Sequence, residues 1–277
     1  MISNIKKSIS LNNPFRLFYH QIRAILANLI YKFPSKDMVI IWVTGTNWKT
    51  TTTNLIAQSL RKSWKKVFMF STINYMILDE IFTNTSKMTS PDPFLLQKLL
   101  SEAKELWCEY AVIETSSHSM IMHRNWWINY DIAVLTNISQ DHLDLHKTMQ
   151  NYIKTKLSLF KNLIRYKRKK WIKKTAIINN DCEKKDLFIN QTYDSIITYW
   201  FSMESEIRAE KWNQDLEYSY FKIKIPWEIL EIQTKLRWNF NIYNILAATS
   251  TLISLWINTK DISQSIKSIE NIPGRLE

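Results

Sequence analysis

Ten residues near the start of the chain carry the most chemistry. In Val43-Thr44-Gly45-Thr46-Asn47-Trp48-Lys49-Thr50-Thr51-Thr52 an apolar run that reads as a strand passes into a helix-forming stretch, the setting of a phosphate-binding loop. Backbone N–H groups at a helix N-terminus cradle anionic phosphate, Lys49 supplies a mobile cation, and the hydroxyl of Thr50 can reach Mg2+. Trp48 breaks the pattern, because a side chain there fills the space where backbone must approach phosphate. Glycine at that position gives Gly-Thr-Asn-Gly-Lys-Thr-Thr. With its tryptophan, the segment is also open to being an ordinary strand–helix turn.

The same imbalance runs through the whole chain. Its 277 residues include 2 Gly and 12 Trp, whereas average usage of about 7% predicts roughly 19 Gly. Trp64, Trp107 and Trp256 each follow a helical stretch, where a helix ends in a left-handed residue and glycine is the ordinary choice. Trp227 follows Pro226 between two alternating segments, as in a turn. We read the tryptophans as glycines of the natural protein, written as Trp because UGA codons were translated with the wrong genetic code. Restoring all twelve gives 2 + 12 = 14 Gly. The rival is a protein that is genuinely rich in tryptophan.

With glycine at 48 the loop resembles that of the Mur ligase family, and its companions follow in family order over residues 38 to 277. They are Thr89-Ser90-Pro91-Asp92-Pro93, Glu114-Thr115-Ser116-Ser117-His118, His123-Arg124, Thr136-Asn137-Ile138 leading into Asp141-His142-Leu143-Asp144, and Arg237-Trp238-Asn239-Phe240-Asn241-Ile242-Tyr243-Asn244. Within the family they are most similar to the branch that adds the third residue of the cell-wall peptide. The resemblance implies that Gly45 to Thr51, with Asn137, Asn241, Asn244 and Arg275, bind ATP, the two asparagines of the last segment meeting adenine. It implies that Thr89, Ser90, Ser116 and Arg124 hold a UDP-N-acetylmuramoyl-dipeptide. Thr50, Glu114 and His142 are implied to serve Mg2+, with Lys156 carbamylated into an anion that orients a second ion. Lys49, His142 and Lys156 are then the catalytic set. Met122 stands where the family often has glutamine.

The implied reaction is ATP-dependent amide formation in peptidoglycan precursor synthesis: the substrate carboxylate attacks the γ-phosphate, an acyl phosphate forms, and an incoming amine displaces phosphate. Cell-wall biogenesis, and with it cell shape and division, depends on such chemistry. Two other readings stay open. One is a folylpolyglutamate-synthase-like ligase with the same phosphate loop; the other is a non-catalytic module that binds nucleotide or muramoyl precursor. The resemblance also implies a C-terminal domain that receives the amino acid, and the expectation is that it lies outside these residues.

Such a site needs strands that end beside one another. From Met38 the chain alternates strand and helix signals, predicting an α/β fold: a mostly parallel sheet of P-loop type flanked by helices. Strands are expected at Val39-Ile40-Ile41, Lys66 to Phe70, Tyr110 to Ile113, Ile132 to Leu135, Thr175 to Ile178 and Ser195 to Tyr199. Helices are expected at Thr52 to Lys62, Phe94 to Leu106 and Met149 to Phe160. Beyond Trp200 a small antiparallel meander (Tyr218 to Ile225, Ile229 to Leu236) leads to helices from Ile242 and Ile262. Residues 1–37 form a separate N-terminal amphipathic helical segment before the central domain of 38–277. There Asn13 and Pro14 start a helix whose stripe of Phe18, Ile22, Leu26, Leu29 and Phe33 is read as packing on the core, the alternative being a membrane-surface anchor.

Composition bounds the partners. Hydrophobic content of 45% with 22% charged residues is that of a soluble globular protein. A net charge of +12 favours acidic partners, but no aromatic-interleaved basic repeat points to nucleic acid. No apolar run is long enough to span a membrane. Cys108 and Cys182 stand apart without metal-ligand spacing, which fits a reducing cytoplasm.

Overall fold

The computed structural model describes residues 13–86, 88–141, 143–237 and 239–272, and of 143 and 144 the backbone alone. His142, Trp238 and Arg275, three residues singled out above, lie outside the described residues. The architecture is one sheet with helices on both faces. Its inner strands are Val39–Thr44 (β1), Val67–Phe70 (β2), Tyr110–Glu114 (β5), Ile132–Leu135 (β6), Thr175–Asn179 (β7) and Ser195–Trp200 (β8). Asn74–Ile77 (β3) and Glu80–Thr83 (β4) extend one edge; Ile207–Gln214 (β9), Ser219–Lys224 (β10) and Ile229–Thr234 (β11) extend the other. The order is β11-β10-β9-β8-β7-β6-β1-β5-β2-β3-β4.

Strands β2, β5, β1, β6, β7 and β8 pair in parallel, as expected from the alternation of strands and helices. Two features differ from the sequence reading. The β3–β4 ribbon gave no strand signal, because Asn74–Thr83 is short and polar at its ends. The antiparallel pair expected beyond Trp200, β10 and β11, gains an unexpected neighbour, β9, which pairs in parallel with β8 and joins the meander to the same sheet.

Both faces of β1 are buried, which is why Val39–Thr44 reads as an unbroken apolar run. Val39, Ile41 and Val43 face a core shared with helices Lys49–Lys62 (α2) and Asn239–Ser254 (α8). Met38, Ile40 and Trp42 face the opposite core, with Pro93–Glu105 (α3) and Met149–Arg165 (α6). Side chains of Asp92 and Thr148 cap α3 and α6 by accepting from Phe94 N and Asn151 N.

Helix α1, Pro14–Ile30, starts as the sequence predicts, with Asn13 Oδ1 accepting from Phe15 N at 2.9 Å. Its orientation overturns the core-packing expectation. Ala24, Ala27 and Asn28 are the buried residues, on a helix packed against α3, whereas Phe18 is 61% and Leu29 52% exposed. The helix docks through small residues and leaves its apolar stripe facing outward. It ends at Ile30, where Lys32 and Phe33 turn left-handed before a 3-10 turn at Pro34–Lys36.

Five of the twelve tryptophans occupy glycine-like backbone. Among the described residues eleven non-glycine positions have positive φ, and five are Trp: 48, 64, 107, 127 and 256. Three of them close helices in the same way. Trp64 N donates to Arg61 O and Lys65 N to Leu60 O; Trp107 N donates to Lys104 O and Cys108 N to Ala103 O; Trp256 N donates to Ile253 O and Ile257 N to Leu252 O. This is the paired bonding of a Schellman motif, whose left-handed residue is usually glycine. The indoles there pack on little, being 94%, 79% and 85% exposed. Trp227 does lie in the turn after Pro226, but without positive φ.

At the amino ends of the strands Asp131, fully buried, accepts from Ile40 N at 2.9 Å and pairs with Lys169 and Lys174. Burial pulls both lysines below their ordinary pKa, and Asp131 opposes that shift.

Candidate functional site

Parallel strands bring their carboxyl ends to one edge, and β1 sits between β5 and β6, where the strand order reverses. That is where open α/β sheets bind ligands. The loop after β1 (Gly45 to Trp48), Thr72 after β2, Glu114 at the end of β5 and Thr136-Asn137 after β6 meet there. Thr46, Asn47 and Trp48 of the loop, with Thr72 and Glu114, line a cleft of about 520 Å³ together with Lys49, Thr50, Thr51, Thr89 and Phe240.

The loop is held by its neighbours. A Cβ on Gly45 would come within 1.8 Å of Thr136 Oγ1, so close approach excludes any side chain. Thr136 Oγ1 donates to Asn47 O at 2.7 Å, and Asn137 Oδ1 accepts from Thr46 N at 3.1 Å and Asn47 N at 2.8 Å. Asn137 is therefore set under the loop. Trp48 then adopts φ 72°, and Lys49 Nζ folds onto Thr46 O at 2.6 Å. The Trp48 indole leans on Tyr243, ring centres 5.3 Å apart, and Tyr243 stacks on Trp200 at 4.1 Å.

Glu114 is the centre of the polar cluster. It is 1% exposed; Oε2 accepts from Thr50 Oγ1 at 3.0 Å and Thr72 N at 2.8 Å, and Oε1 from Thr72 Oγ1 at 3.0 Å. Burial raises its pKa, against the nearby Lys49 charge and these hydrogen bonds. Thr72 Oγ1 also lies 3.0 Å from Thr89 Oγ1, which ties the Thr89-Ser90 segment to the carboxylate. Ser90 Oγ donates to Ser119 Oγ at 2.9 Å, and Arg124 Nη1 to Ser90 O at 3.1 Å. Ser116 caps helix α4, Ser117–Ile121, by accepting from Ser119 N. Thr89, Ser90, Ser116 and Arg124 thus come together beside Glu114, whereas Met122 is buried.

Lys156 comes to the loop from α6. It is 1% exposed, and its Nζ donates to Gly45 O at 2.8 Å. Its pKa falls well below the ordinary lysine value, first through burial and then through the Lys49 charge. Asn241 and Asn244 are turned inward. Asn244 Oδ1 accepts from Thr52 Oγ1 at 3.1 Å and its Nδ2 donates to Asn241 Oδ1 at 3.2 Å, while Asn241 Nδ2 donates to Arg237 O at 2.5 Å. The pair ties α8 to the helix that follows the loop.

Sequence reading missed Thr72, Tyr152 and Phe240. Thr72 could be found as the hydroxyl just past a parallel strand, and Tyr152 as the residue one helical turn before Lys156. No group of three or more His, Cys, Asp or Glu suited to a metal occurs among the described residues. Thr50 Oγ1 and the Glu114 carboxylate nevertheless form an oxygen donor pair that fits Mg2+.

A glycine-requiring loop between a strand and a helix, at the switch point of a parallel sheet, defines a P-loop α/β domain. The chain belongs to the Mur ligase family: the family profile described as Mur ligase middle domain matches residues 43–252. It is 34% identical over 255 residues to a UDP-N-acetylmuramoyl-L-alanyl-D-glutamate–2,6-diaminopimelate ligase of Geobacillus thermodenitrificans, and 37% identical over 255 residues to one of Oceanobacillus iheyensis. In each case the match covers 92% of this chain and 51% of the relative. A solved structure of a ligase with that name superposes with a TM-score of 0.80 at 24% identity, covering 95% of this chain and 52% of the other. The chain spans about half the length of the curated relatives it matches.

Proposed function

We propose that this chain is the ATP-binding core of a ligase that adds an amino acid, diaminopimelate being the first candidate, to a UDP-N-acetylmuramoyl-dipeptide. The relatives named above carry that activity in their names. The observation that carries the reading is Glu114, a buried carboxylate that joins Thr50 of the phosphate loop to Thr72 and Thr89 on the opposite wall of the cleft. Nucleotide and carboxylate substrate then meet across one buried charge. ATP and Mg2+ supply an activating phosphoryl group and positive charge at its oxygens. The reaction belongs in the cytoplasm, and no described helix is long and apolar enough to cross a membrane.

The protein's own contribution is positioning and charge. The α2 N-terminus and Lys49 would face phosphate; Thr50 and Glu114 would hold Mg2+; Arg124, Ser90, Thr89 and Ser116 would orient the anionic muramoyl substrate. Burial drives Lys156 Nζ toward its neutral form, the form of lysine that takes up CO2: the amine lone pair bonds carbon, one proton leaves, and a carbamate anion results. His142 and Arg275 keep the metal and nucleotide roles that the resemblance implies.

In this reading position 48 is glycine in the natural protein, since a left-handed residue at the mouth of the cleft matches the phosphate loop and an indole does not. The test is phosphate release by the Trp48→Gly protein supplied with ATP, UDP-muramoyl-dipeptide and diaminopimelate or lysine. Phosphate release that depends on ATP and the dipeptide precursor is expected of this core, and dependence on the amine once the receiving domain is joined to it. ATP binding without turnover favours a binding module, and turnover with a folate substrate favours the folylpolyglutamate class.

A further inference from the structure

Tyr152 stands between the phosphate loop and Lys156, and the reaction outlined above gives it no part. It is fully buried, with its hydroxyl 2.9 Å from Thr46 Oγ1. Thr46 Oγ1 donates to Ser139 O at 3.1 Å and accepts from Ser139 N at 3.0 Å. Thr46 Oγ1 is thus held from both sides, by Ser139 and by Tyr152, either hydroxyl being able to donate in the latter contact. The same ring carries Lys156 Nζ over its face, 4.6 Å from the centroid.

The spacing explains the arrangement. Residues 152 and 156 are one helical turn apart on α6 and present neighbouring side chains, which meet the consecutive loop residues Thr46 and Gly45. The edge of His146 packs on Tyr152 with ring centres 4.9 Å apart, and its Nε2 lies 2.9 Å from Ser117 Oγ at the start of α4. Tyr152 thus touches the loop, the lysine and the residue that reaches the substrate-side helix.

We propose that Tyr152 is a positioning residue: its hydroxyl fixes Thr46 and its ring fixes the Lys156 side chain, so that phosphate loop and lysine keep one spacing. The proposal rests on the ligase reading. Loss of the hydroxyl frees one side of the loop and leaves the ring in place. ATP affinity then falls while the chemical step, once ATP is bound, is largely kept.

The experiment is a double-mutant cycle in the Trp48→Gly protein with Tyr152→Phe and Thr46→Val, both close to isosteric. ATP–Mg2+ binding is read by calorimetry, KM and kcat by phosphate release, and folding by thermal melting. One neutral hydrogen bond corresponds to a loss of about three- to tenfold. Tyr152→Phe is expected to weaken ATP binding by that factor, to raise the KM for ATP more than it lowers kcat, and to cost little once Thr46→Val is present. Unchanged ATP affinity in Tyr152→Phe, or losses from the two substitutions that simply add, would overturn the proposal. Absence of ATP binding by the folded Trp48→Gly protein itself overturns the ligase reading, and this inference with it.

Discussion

Lys156 Nζ donates to the carbonyl oxygen of Gly45 across 2.8 Å, joining residues 111 positions apart in sequence. The pair sets an amine against the phosphate loop with almost no water around it.

Stability should depend on pH through this amine. The unfolded chain carries it protonated up to the ordinary value of 10.5, whereas the folded chain releases the proton well below that. The folded state then binds fewer protons between the two values, so stability rises with pH across that window and is lost as pH falls through it. Lys156→Met should therefore melt at a higher temperature than the parent at neutral pH, in CO2-free buffer, with the gain shrinking toward pH 10.5. A gain that stays constant over the range would show that burial of the amine is not its source.

Trp48→Gly should tighten ATP–Mg2+ binding by at least about tenfold, or 1.4 kcal/mol, because backbone N–H groups cannot close on phosphate around an indole. Calorimetric titration compares the two proteins. Equal, tight binding by both removes the case for glycine at this position.

At the three Schellman ends, Trp64→Gly, Trp107→Gly and Trp256→Gly should each raise stability by about 1 kcal/mol, the strain of an L-residue held left-handed. Trp227→Gly is the control. Its φ is not positive, so it should be neutral within about 0.5 kcal/mol or slightly destabilising. Denaturant melts of the four variants decide this, and TGG codons at these positions in the gene would sink the recoding idea outright.

Asp131→Asn should cost about 3–5 kcal/mol, since it leaves Lys169 and Lys174 buried beside a neutral group. Asp131 lies at the amino ends of the strands, and the cleft lies at their carboxyl ends. ATP affinity of the folded variant should therefore match that of its parent. A shift in affinity would mean that the two edges are coupled through the sheet.

Much of this was legible from residue order alone. Apolar runs bounded by helix signals located β1, β2, β5, β6 and β7, because strands buried on both faces must be apolar throughout; β8, buried only on alternate residues, was found by its β-branched and aromatic residues. Local capping chemistry marked Asn13 as a helix start, and the left-handed ends at Trp64, Trp107 and Trp256 followed from where helices had to stop; the caps at Asp92 and Asn258 appeared only in the structure. The resemblance named Thr50, Glu114, Thr89, Ser90, Ser116 and Arg124 as candidates, and the fold places them near one another. What only the tertiary structure decided was direction. A helical stripe has a periodicity but no address, so the sequence could not say that α1 would pack through Ala24 and Ala27 and leave Phe18 and Leu29 outside. An asparagine can serve a ligand or a neighbouring helix equally well by type, and packing turned Asn244 toward Thr52. Tyr152 reads in sequence as one more aromatic on a helix. Its hydrogen bond to Thr46 exists because the parallel order of β1 and β6 brings α6 over the phosphate loop, a long-range contact that no local pattern encodes.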